Sequence, residues 1–303
     1  MTAPTATFLF LCYRQEAYVR DALRSALAQD YRPLEILISD DASPDATFDI
    51  VCEEVAAYRG DADIVVNRNA ENIGALEHQN RMMARVRGDY VVLGCGDDVF
   101  MPERARLLVE AWQRTGALVV ASNIWSIDRA GQVIGRGVGA DFAPDLSLEY
   151  FTRIGVNACC MGASLAWHRE VFDLFGPIEA ARSPYNGDFV IPFRGLLLGG
   201  NAFVNQTLVH YRVHEASNNF KVLNHADARS KEESTFALFN TQNLYLLETL
   251  NEFRALRPDD ARLPAAERNL VGLIGNGLSM WAAKRNAMLL DGLDSAWRGT
   301  QSP

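Results

Sequence analysis

Two pairs of adjacent aspartates, Asp40-Asp41 and Asp97-Asp98, are the residues whose type and placement suggest chemistry. Each pair follows a short apolar run. Residues 34–38 (LEILI) lead into Ser39-Asp40-Asp41-Ala42-Ser43-Pro44-Asp45, and residues 90–93 (YVVL) into Gly94-Cys95-Gly96-Asp97-Asp98. Neighbouring carboxylates repel each other unless a cation or a donor-rich ligand compensates. A hard cation such as Mg²⁺ or Mn²⁺ takes one or two carboxylates together with phosphate oxygens and water. Transfer from a diphosphate donor suits such a site, because the held cation neutralises the diphosphate as it leaves. The other pair would then accept the N–H of a base or the hydroxyls of a ribose. Gly94 and Gly96 carry no side chain, so a ligand would have access to the backbone beside the second pair. Taken alone, each pair reads just as well as a turn or a helix cap.

Two further groups share this duality. Asp188 follows Pro184-Tyr185-Asn186-Gly187 and opens a predicted helix over residues 189–198. It is either the cap of that helix or a base that removes a hydroxyl proton. His210, Arg212 and His214 alternate along the end of a predicted strand and share one face. They read as surface or structural residues, or as a metal ligand and diphosphate contacts.

The elements that must position these groups alternate. Strands are predicted at 8–12, 34–38, 64–66, 90–93 and 118–121. Helices lie between them, the first marked by Val19, Ala22, Leu23, Ala26 and Leu27 at helical spacing. Asp45 or Ser43 is a candidate cap for the second helix, and Pro102 marks the start of the fourth. This order implies an α/β fold with a mostly parallel sheet covered on both faces. Ligands of such sheets bind beyond the carboxyl ends of the strands, where both acid pairs fall. The second half is less regular. It suggests a hairpin turn at residues 128–131, a short helix at 144–153, strands at 162–167 and 202–213, and a helical remainder from about residue 230. In that remainder Phe236, Phe239, Asn243, Leu246, Leu250 and Phe253 form a stripe, Pro258 and Pro264 bracket a linker, and a last helix runs over 264–290.

The chain has 303 residues, 22% charged and 49% hydrophobic, with a formal charge of −9. These values exclude a disordered or low-complexity chain and argue against nucleic acid as a partner, which needs a basic face. The five cysteines are odd in number and form no Cys-x-x-Cys pair, which fits a reduced, cytoplasmic setting. No apolar run reaches the roughly 18–20 residues of a spanning helix. The opening MTAPTATFLFLCYRQE lacks the basic start and cleavage site of a signal peptide.

The ordered residues as a set resemble the family-2 glycosyltransferases, which have the GT-A fold. The resemblance runs from Tyr13, Glu16 and Tyr18 through Gln29, Tyr31 and Glu35 to Asp40-Asp41-Ala-Ser43-Pro-Asp45-Ala-Thr47. It continues with Asn72-Ile-Gly74, Asn80, Gly88-Asp89-Tyr90 and Gly96-Asp97-Asp98, then Asn186-Gly-Asp188 and Tyr211-Arg212-Val-His214. It spans residues 5–220 and implies an inverting transferase that uses a divalent metal, Mn²⁺ or Mg²⁺, and a nucleotide-diphosphate sugar. A UDP-sugar is the commonest family donor, and the acceptor would be a saccharide or lipid-linked saccharide of a bacterial surface polysaccharide. By the same resemblance Asp188 would be the base. Tyr13, Arg14, Glu16, Asp40, Asp41, Asn72, Gly74, Asn80 and Asp97 would form the donor pocket. Asp98, Asp97 and His214 would stand at the metal, with Asp98 as the favoured direct ligand. Residues 1–125 would be the donor half, 126–225 the acceptor half of the same domain, and 226–303 a helical extension. The extension would pack internally, mediate a homodimer or touch the inner membrane face.

Three positions depart from the family pattern. Cys95 stands where an acidic residue is usual, and a soft thiol is a poor ligand for Mg²⁺ or Mn²⁺. Arg14 replaces a usual asparagine and would pair with a phosphate or with Asp41. Gly187 replaces a usual acidic residue before the base, which should ease ionisation of Asp188. Two rival readings remain. A silent nucleotide-sugar-binding protein of the same fold draws on Cys95 and Gly187. A sugar nucleotidyltransferase would need a glycine-rich basic loop after the first strand, where this chain has Tyr13-Arg14-Gln15-Glu16.

Overall fold

The computed structural model describes residues 5–136, 145–146, 162–179, 187, 190–214 and 246–279, apart from 269, 273, 276, 277. The expected alternation is present. It consists of β1 (Ala6–Cys12), α1 (Val19–Leu27), β2 (Leu34–Asp40), α2 (Thr47–Ala57), β3 (Asp63–Arg68), α3 (Ala75–Met83), β4 (Tyr90–Cys95), β5 (Val99–Phe100), α4 (Arg104–Thr115) and β6 (Val119–Ile127). After these come β7 (Val133–Arg136), β8 (Asp145–Leu146), β9 (Ala166–His168), α5 (Glu170–Phe175), α6 (Val190–Leu198) and β10 (Asn201–Arg212).

The ten strands among the described residues form one sheet, with the path β3-β2-β1-β4-β9-β6-β10-β5, β7 beside β6 and β8 beside β10. β1 pairs in parallel with β2 and β4, β2 with β3, and β6 with β10. β9 lies antiparallel between β4 and β6, so the two parallel groups keep the same direction. Six strands therefore deliver their carboxyl ends to one edge. The short apolar runs are core strands: every residue of β2 is buried, as is every residue of β1 except Leu11. Strands covered on both faces need no alternation.

Helix α1 buries the predicted face, with Val19, Ala22, Leu23 and Ala26 fully enclosed. Burying a leucine in this way contributes roughly 1.5–3 kcal/mol. An ion-pair cluster ties α1 to α2. Arg24 Nε lies 2.7 Å from Glu54 Oε2, and Arg20 also bonds Glu54. Arg24, with Arg20 beside it, holds the Glu54 carboxyl below its usual range. A lowered folded pKa gives stability that is present above the unfolded pKa and lost as pH falls through the folded value. Glu54→Gln is therefore expected to lower the melting temperature at neutral pH and to flatten its decline in acid. Thermal melts across that range check this, and unchanged melts would show that the solvated cluster contributes nothing.

Two local expectations are corrected. Asp145 and Leu146 fall within the segment read as a short helix, but they pair antiparallel with β10. The remainder of 144–153 lies outside the described residues. The strand expected at 162–167 begins as a 3-10 turn, Gly162–Ser164, and becomes β9 two residues later. The hairpin turn is where it was expected: Asp128 Oδ1 accepts the N–H groups of Ala130 and Gln132 between β6 and β7.

Residues 246–256 and 263–268 are helical. Leu246, Leu250, Phe253, Leu263, Ala266 and Leu270 share one apolar cluster with Phe193 and Leu197 of α6. The described part of the C-terminal stripe thus packs on the domain itself. Phe236, Phe239 and Asn243 lie outside the described residues. Among the described residues, no helix is long and apolar enough to cross a membrane.

Candidate active site

The loops after β1, β2, β3 and β4 stay in register beyond the strands. Asp41 N donates to Cys12 O at 3.0 Å, Asn69 N to Asp40 O at 2.9 Å, and Gly96 N to Leu11 O at 2.9 Å. The two acid pairs therefore lie on neighbouring parts of one edge.

Asp41 is buried and organises the loop after β3. Its Oδ1 accepts from Asn69 Nδ2 at 2.7 Å and Ile73 N at 3.1 Å. Its Oδ2 accepts from Asn72 Nδ2 at 2.9 Å and Gly74 N at 3.0 Å. An ionised carboxylate has about four acceptor positions, so this side chain is fully engaged within the protein. Asn72 and Gly74 act here as donors to Asp41. Asp40 is equally buried. It accepts from Ser43 N at 2.9 Å and lies 3.3 Å from Arg68 Nε. Behind both, His78 Nε2 bonds Ser39 Oγ at 2.6 Å, and burial lowers its pKa, so the ring is neutral at pH 7.

The loop after β1 is pinned to the start of α2. Arg14 N donates to Ser43 Oγ at 2.9 Å, Gln15 N to Thr47 Oγ1 at 2.8 Å, and Ala46 N to Glu16 Oε2 at 3.0 Å. Neither Asp45 nor Ser43 is the N-cap of α2: that position is Ala46, with no side-chain cap bond, while Asp45 just before it accepts from Thr47 N at 3.2 Å. Arg14 is in the left-handed region, with φ 53°, and so is Ala42, with φ 58°. Such conformations are costly for non-glycine residues and concentrate at functional sites. Tyr13 and Arg14 are exposed at this edge, and the Asp41 carboxylate expected to pair with Arg14 is taken by donors of the loop after β3.

The second pair meets the end of β10. Cys95 Sγ and carboxylate oxygens of Asp97 and Asp98 lie within 4.8 Å of one another. Asp98 is 1% exposed, and its Oδ1 accepts from Arg212 N at 2.9 Å. Burial, then the neighbouring Asp97, push its pKa well above the usual carboxylate range. Asp97 is more open, and its Oδ2 lies 3.1 Å from His214 Nε2. Arg212 fastens the turn: Nε donates to Asp97 O at 2.9 Å and Nη1 to Asp128 O at 2.8 Å. Tyr18 completes the group, 4.8 Å from the Arg212 guanidinium carbon and 5.1 Å from the His214 ring. Arg212 and His214, two of the three residues placed on one face by alternation, both bond Asp97. The third, His210, lies between Val99 of β5 and Trp125 of β6 in the sheet register, and burial lowers its pKa.

The glycine reading is corrected. A Cβ at Gly94 would lie 2.5 Å from Phe8, and one at Gly96 would lie 2.7 Å from Cys12 Cβ. The protein's own side chains fill both spaces, so these glycines permit close packing beneath the pair. Sequence reasoning also missed Arg104. This fully buried residue donates to Leu93 O at 2.7 Å and Ala163 O at 2.9 Å. Burial brings its pKa down to about 10, opposed by Asp98, so it remains charged at neutral pH. It stands in the first turn of an amphipathic helix, where arginine ordinarily reads as exposed.

Asn80 faces the later segment. Its Nδ2 donates to Ile178 O at 2.6 Å, and its Oδ1 accepts from Ile178 N at 2.9 Å. The Ile178 side chain in turn occupies the space of a Cβ at Gly187, at 2.8 Å, and Gly187 has φ 64°. A side chain here would clash with Ile178 and strain the backbone. Asp188 itself lies outside the described residues. Asn80→Ala removes both bonds and is expected to cost about 2 kcal/mol. Chemical denaturation checks this, and wild-type stability would show that water replaces the pair without loss.

The family model described as Glycosyl transferase family 2 matches residues 7–174. The chain belongs to glycosyltransferase family 2. An uncharacterised glycosyltransferase of Nostoc sp. is 27% identical over 226 residues, 73% of this chain and 68% of that protein. The putative glycosyltransferase EpsH of Bacillus subtilis is 24% identical over 84% of this chain and 73% of its own. The fold of this family-2 glycosyltransferase is GT-A-like. It matches S. aureus TarS 1–349, solved with UDP-GlcNAc, at a TM-score of 0.58 and 14% identity over 93% of this chain and 92% of that one. It also matches the mannosyltransferase PcManGT of Pyrobaculum calidifontis, solved with GDP-Man and Mn²⁺. That TM-score is 0.55, at 14% identity over 98% of this chain and 82% of the other.

Proposed function

We propose that this glycosyltransferase moves a sugar, with inversion, from a nucleotide-diphosphate sugar to an acceptor hydroxyl. The observation that carries this reading is that both acid pairs follow parallel strands, β2 and β4, at one carboxyl edge of the sheet, where Arg212 and His214 bond the second pair. In a family-2 chain, that edge is where a diphosphate donor would sit. The TarS complexes with UDP-GlcNAc and UDP favour a UDP-sugar. Relatives named EpsH and the succinoglycan biosynthesis protein ExoO of Rhizobium meliloti favour a role in surface polysaccharide synthesis. A cytoplasmic setting, with a saccharide or lipid-linked saccharide as acceptor, fits that role.

The donor set suits a divalent cation: Asp97 and Asp98 offer carboxylate oxygens within 4.8 Å of one another, and Asp98 is almost wholly buried. Asp97 and Asp98 would hold the cation, with His214 orienting Asp97. Once bound, the cation would offset the charge of the departing diphosphate. The chain's own groups do the rest. Asp41 fixes the loop that carries Asn72 and Gly74, and Asp40 and Arg68 fix the turn beside it. Together with Tyr13, Arg14 and Glu16 these shape the donor pocket. Asp188 accepts the proton of the acceptor hydroxyl. The freed oxygen bonds to the anomeric carbon, the carbon's bond to the diphosphate oxygen breaks, and the nucleoside diphosphate leaves with that electron pair.

Asp188→Asn is expected to slow transfer about 10²–10⁴-fold, the usual contribution of a general base. Donor binding should survive. A nucleotide sugar held at 100 times its Kd stabilises the fold by about 2.7 kcal/mol, so melting with a panel of donors reads binding separately. Wild-type transfer by Asp188→Asn would remove the base assignment. Binding without turnover by the wild-type protein would favour a silent binding protein.

A further inference from the structure

Tyr18 stands at the N-cap of α1, a position that favours a short polar side chain, and it makes no side-chain cap bond. The apolar clusters of the described residues do not include it. Neither helix capping nor the core therefore explains a tyrosine here. Its half-buried ring instead meets the residues that hold the second acid pair. The Arg212 guanidinium carbon lies 4.8 Å from the ring centroid, and the His214 ring lies 5.1 Å away at an interplanar angle of 40°. Arg212 N donates to Asp98 Oδ1 and Arg212 Nε to Asp97 O, both at 2.9 Å, and His214 Nε2 lies 3.1 Å from Asp97 Oδ2.

The two sides of this contact differ in how firmly they are held. β10 ends at Arg212, and Val213 N bonds Ile127 O at 2.8 Å, so His214 lies past the ladder. A side chain there keeps several rotamers unless a neighbour selects one. Tyr18 is tied down locally. Tyr18 N and Val19 N both donate to Gln15 O at 2.8 Å, and Gln15 N donates to Thr47 Oγ1 at 2.8 Å. The Gln15 side chain also abuts the acid turn, since a Cβ at Gly96 would lie 2.5 Å from Gln15 Oε1. The loop after β1 thus meets that turn through Gln15 and its partners through Tyr18. An aromatic face attracts a guanidinium and packs against an imidazole without any hydrogen bond of its own.

We propose that Tyr18 is a positioning residue for the cation centre: its ring selects the orientations in which Arg212 and His214 hold Asp97 and Asp98. The proposal rests on reading Asp97 and Asp98 as that centre. The ring face carries the role and the hydroxyl does not. Tyr18→Phe therefore keeps it, and Tyr18→Leu, which has no π face, loses it.

The test titrates Mn²⁺ into the full chain by calorimetry, with and without UDP, a readout independent of sugar transfer. With UDP present, Tyr18→Leu should bind Mn²⁺ about 10–100-fold more weakly than wild type, the usual cost of losing an outer partner of a metal ligand. Tyr18→Phe should bind as the wild type does. In His214→Ala, where the imidazole is already gone, adding Tyr18→Leu should cost less than it does in the wild type. Without cation, both Tyr18 variants should melt near the wild-type temperature, which separates positioning from folding. Unchanged Mn²⁺ affinity in Tyr18→Leu overturns the proposal. Equal weakening in Tyr18→Phe also overturns it, because the hydroxyl would then be the contact. So does the full effect of Tyr18→Leu persisting in His214→Ala, or a cation-free melting temperature that falls with the affinity, which would make the ring part of the fold. A wild-type protein that binds no Mn²⁺ with or without UDP would remove the cation centre and the proposal with it.

Discussion

Asp98→Ala is expected to lower donor-dependent transfer by about 10³-fold or more, because the cation it would hold in the proposed reading would supply several kcal/mol of charge stabilisation. Asp98 is the deepest acid at the edge, with Arg104 buried nearby and Arg212 N fixing one oxygen. Its removal leaves Asp97 and the His214 pair, which lie nearer to solvent. The alanine variant also leaves Arg212 N without its acceptor, so Asp98→Asn is the companion. The amide keeps an acceptor for Arg212 N but is a weaker metal ligand than a carboxylate. Without metal, Asp98→Asn should melt near the wild-type temperature and Asp98→Ala below it, and both should lose the stabilisation that a divalent cation with UDP would confer. Transfer within a few-fold of wild type in both variants would place the cation elsewhere.

Asp41→Ala is expected to destabilise the fold by about 3–5 kcal/mol, the scale on which removing one partner of a buried charged network acts. Four donors converge on this carboxylate from Asn69, Asn72, Ile73 and Gly74. All belong to the loop after β3, 28 to 33 residues away in sequence, so one side chain replaces what would otherwise be sheet pairing. The donor-side loop should loosen with it, and UDP binding should weaken together with stability. Denaturant titration and calorimetry read the two effects. Near-native stability with UDP binding abolished would mean that Asp41 contacts the donor directly and that the loop is held by other groups.

The sequence located the edge because of a simple rule. Runs such as 34–38 and 90–93 are too apolar and too short to be anything but core strands, and the acids that follow them must then emerge at a carboxyl end. The alternating order of β1 to β4 was readable for the same reason. The antiparallel β9 was not: three residues, Ala166–His168, carry too little pattern to show that they separate β4 from β6. Asp145 and Leu146 had the same difficulty, since two residues have no period of their own. Type and spacing singled out Asp40, Asp41, Asp97, Asp98 and His214 as candidates, but not how their bonds are divided. Adjacent aspartates look equivalent on paper. In space Asp41 turns to the loop after β3, and Asp40 to Ser43 and Arg68. Asp98 turns inward, and Asp97 toward His214. Arg104 was hidden because nothing local marks an arginine whose acceptors are carbonyls of β4 and of the turn before β9.

Release of nucleoside diphosphate from a panel of nucleotide sugars is the most direct measurement of the central claim. It is followed in wild-type protein and Asp98→Ala, with divalent cations and after chelation. The account predicts release with at least one sugar nucleotide, its loss on chelation, its return when the cation is restored, and little release by Asp98→Ala. Release that proceeds at the same rate after chelation and in Asp98→Ala would contradict it.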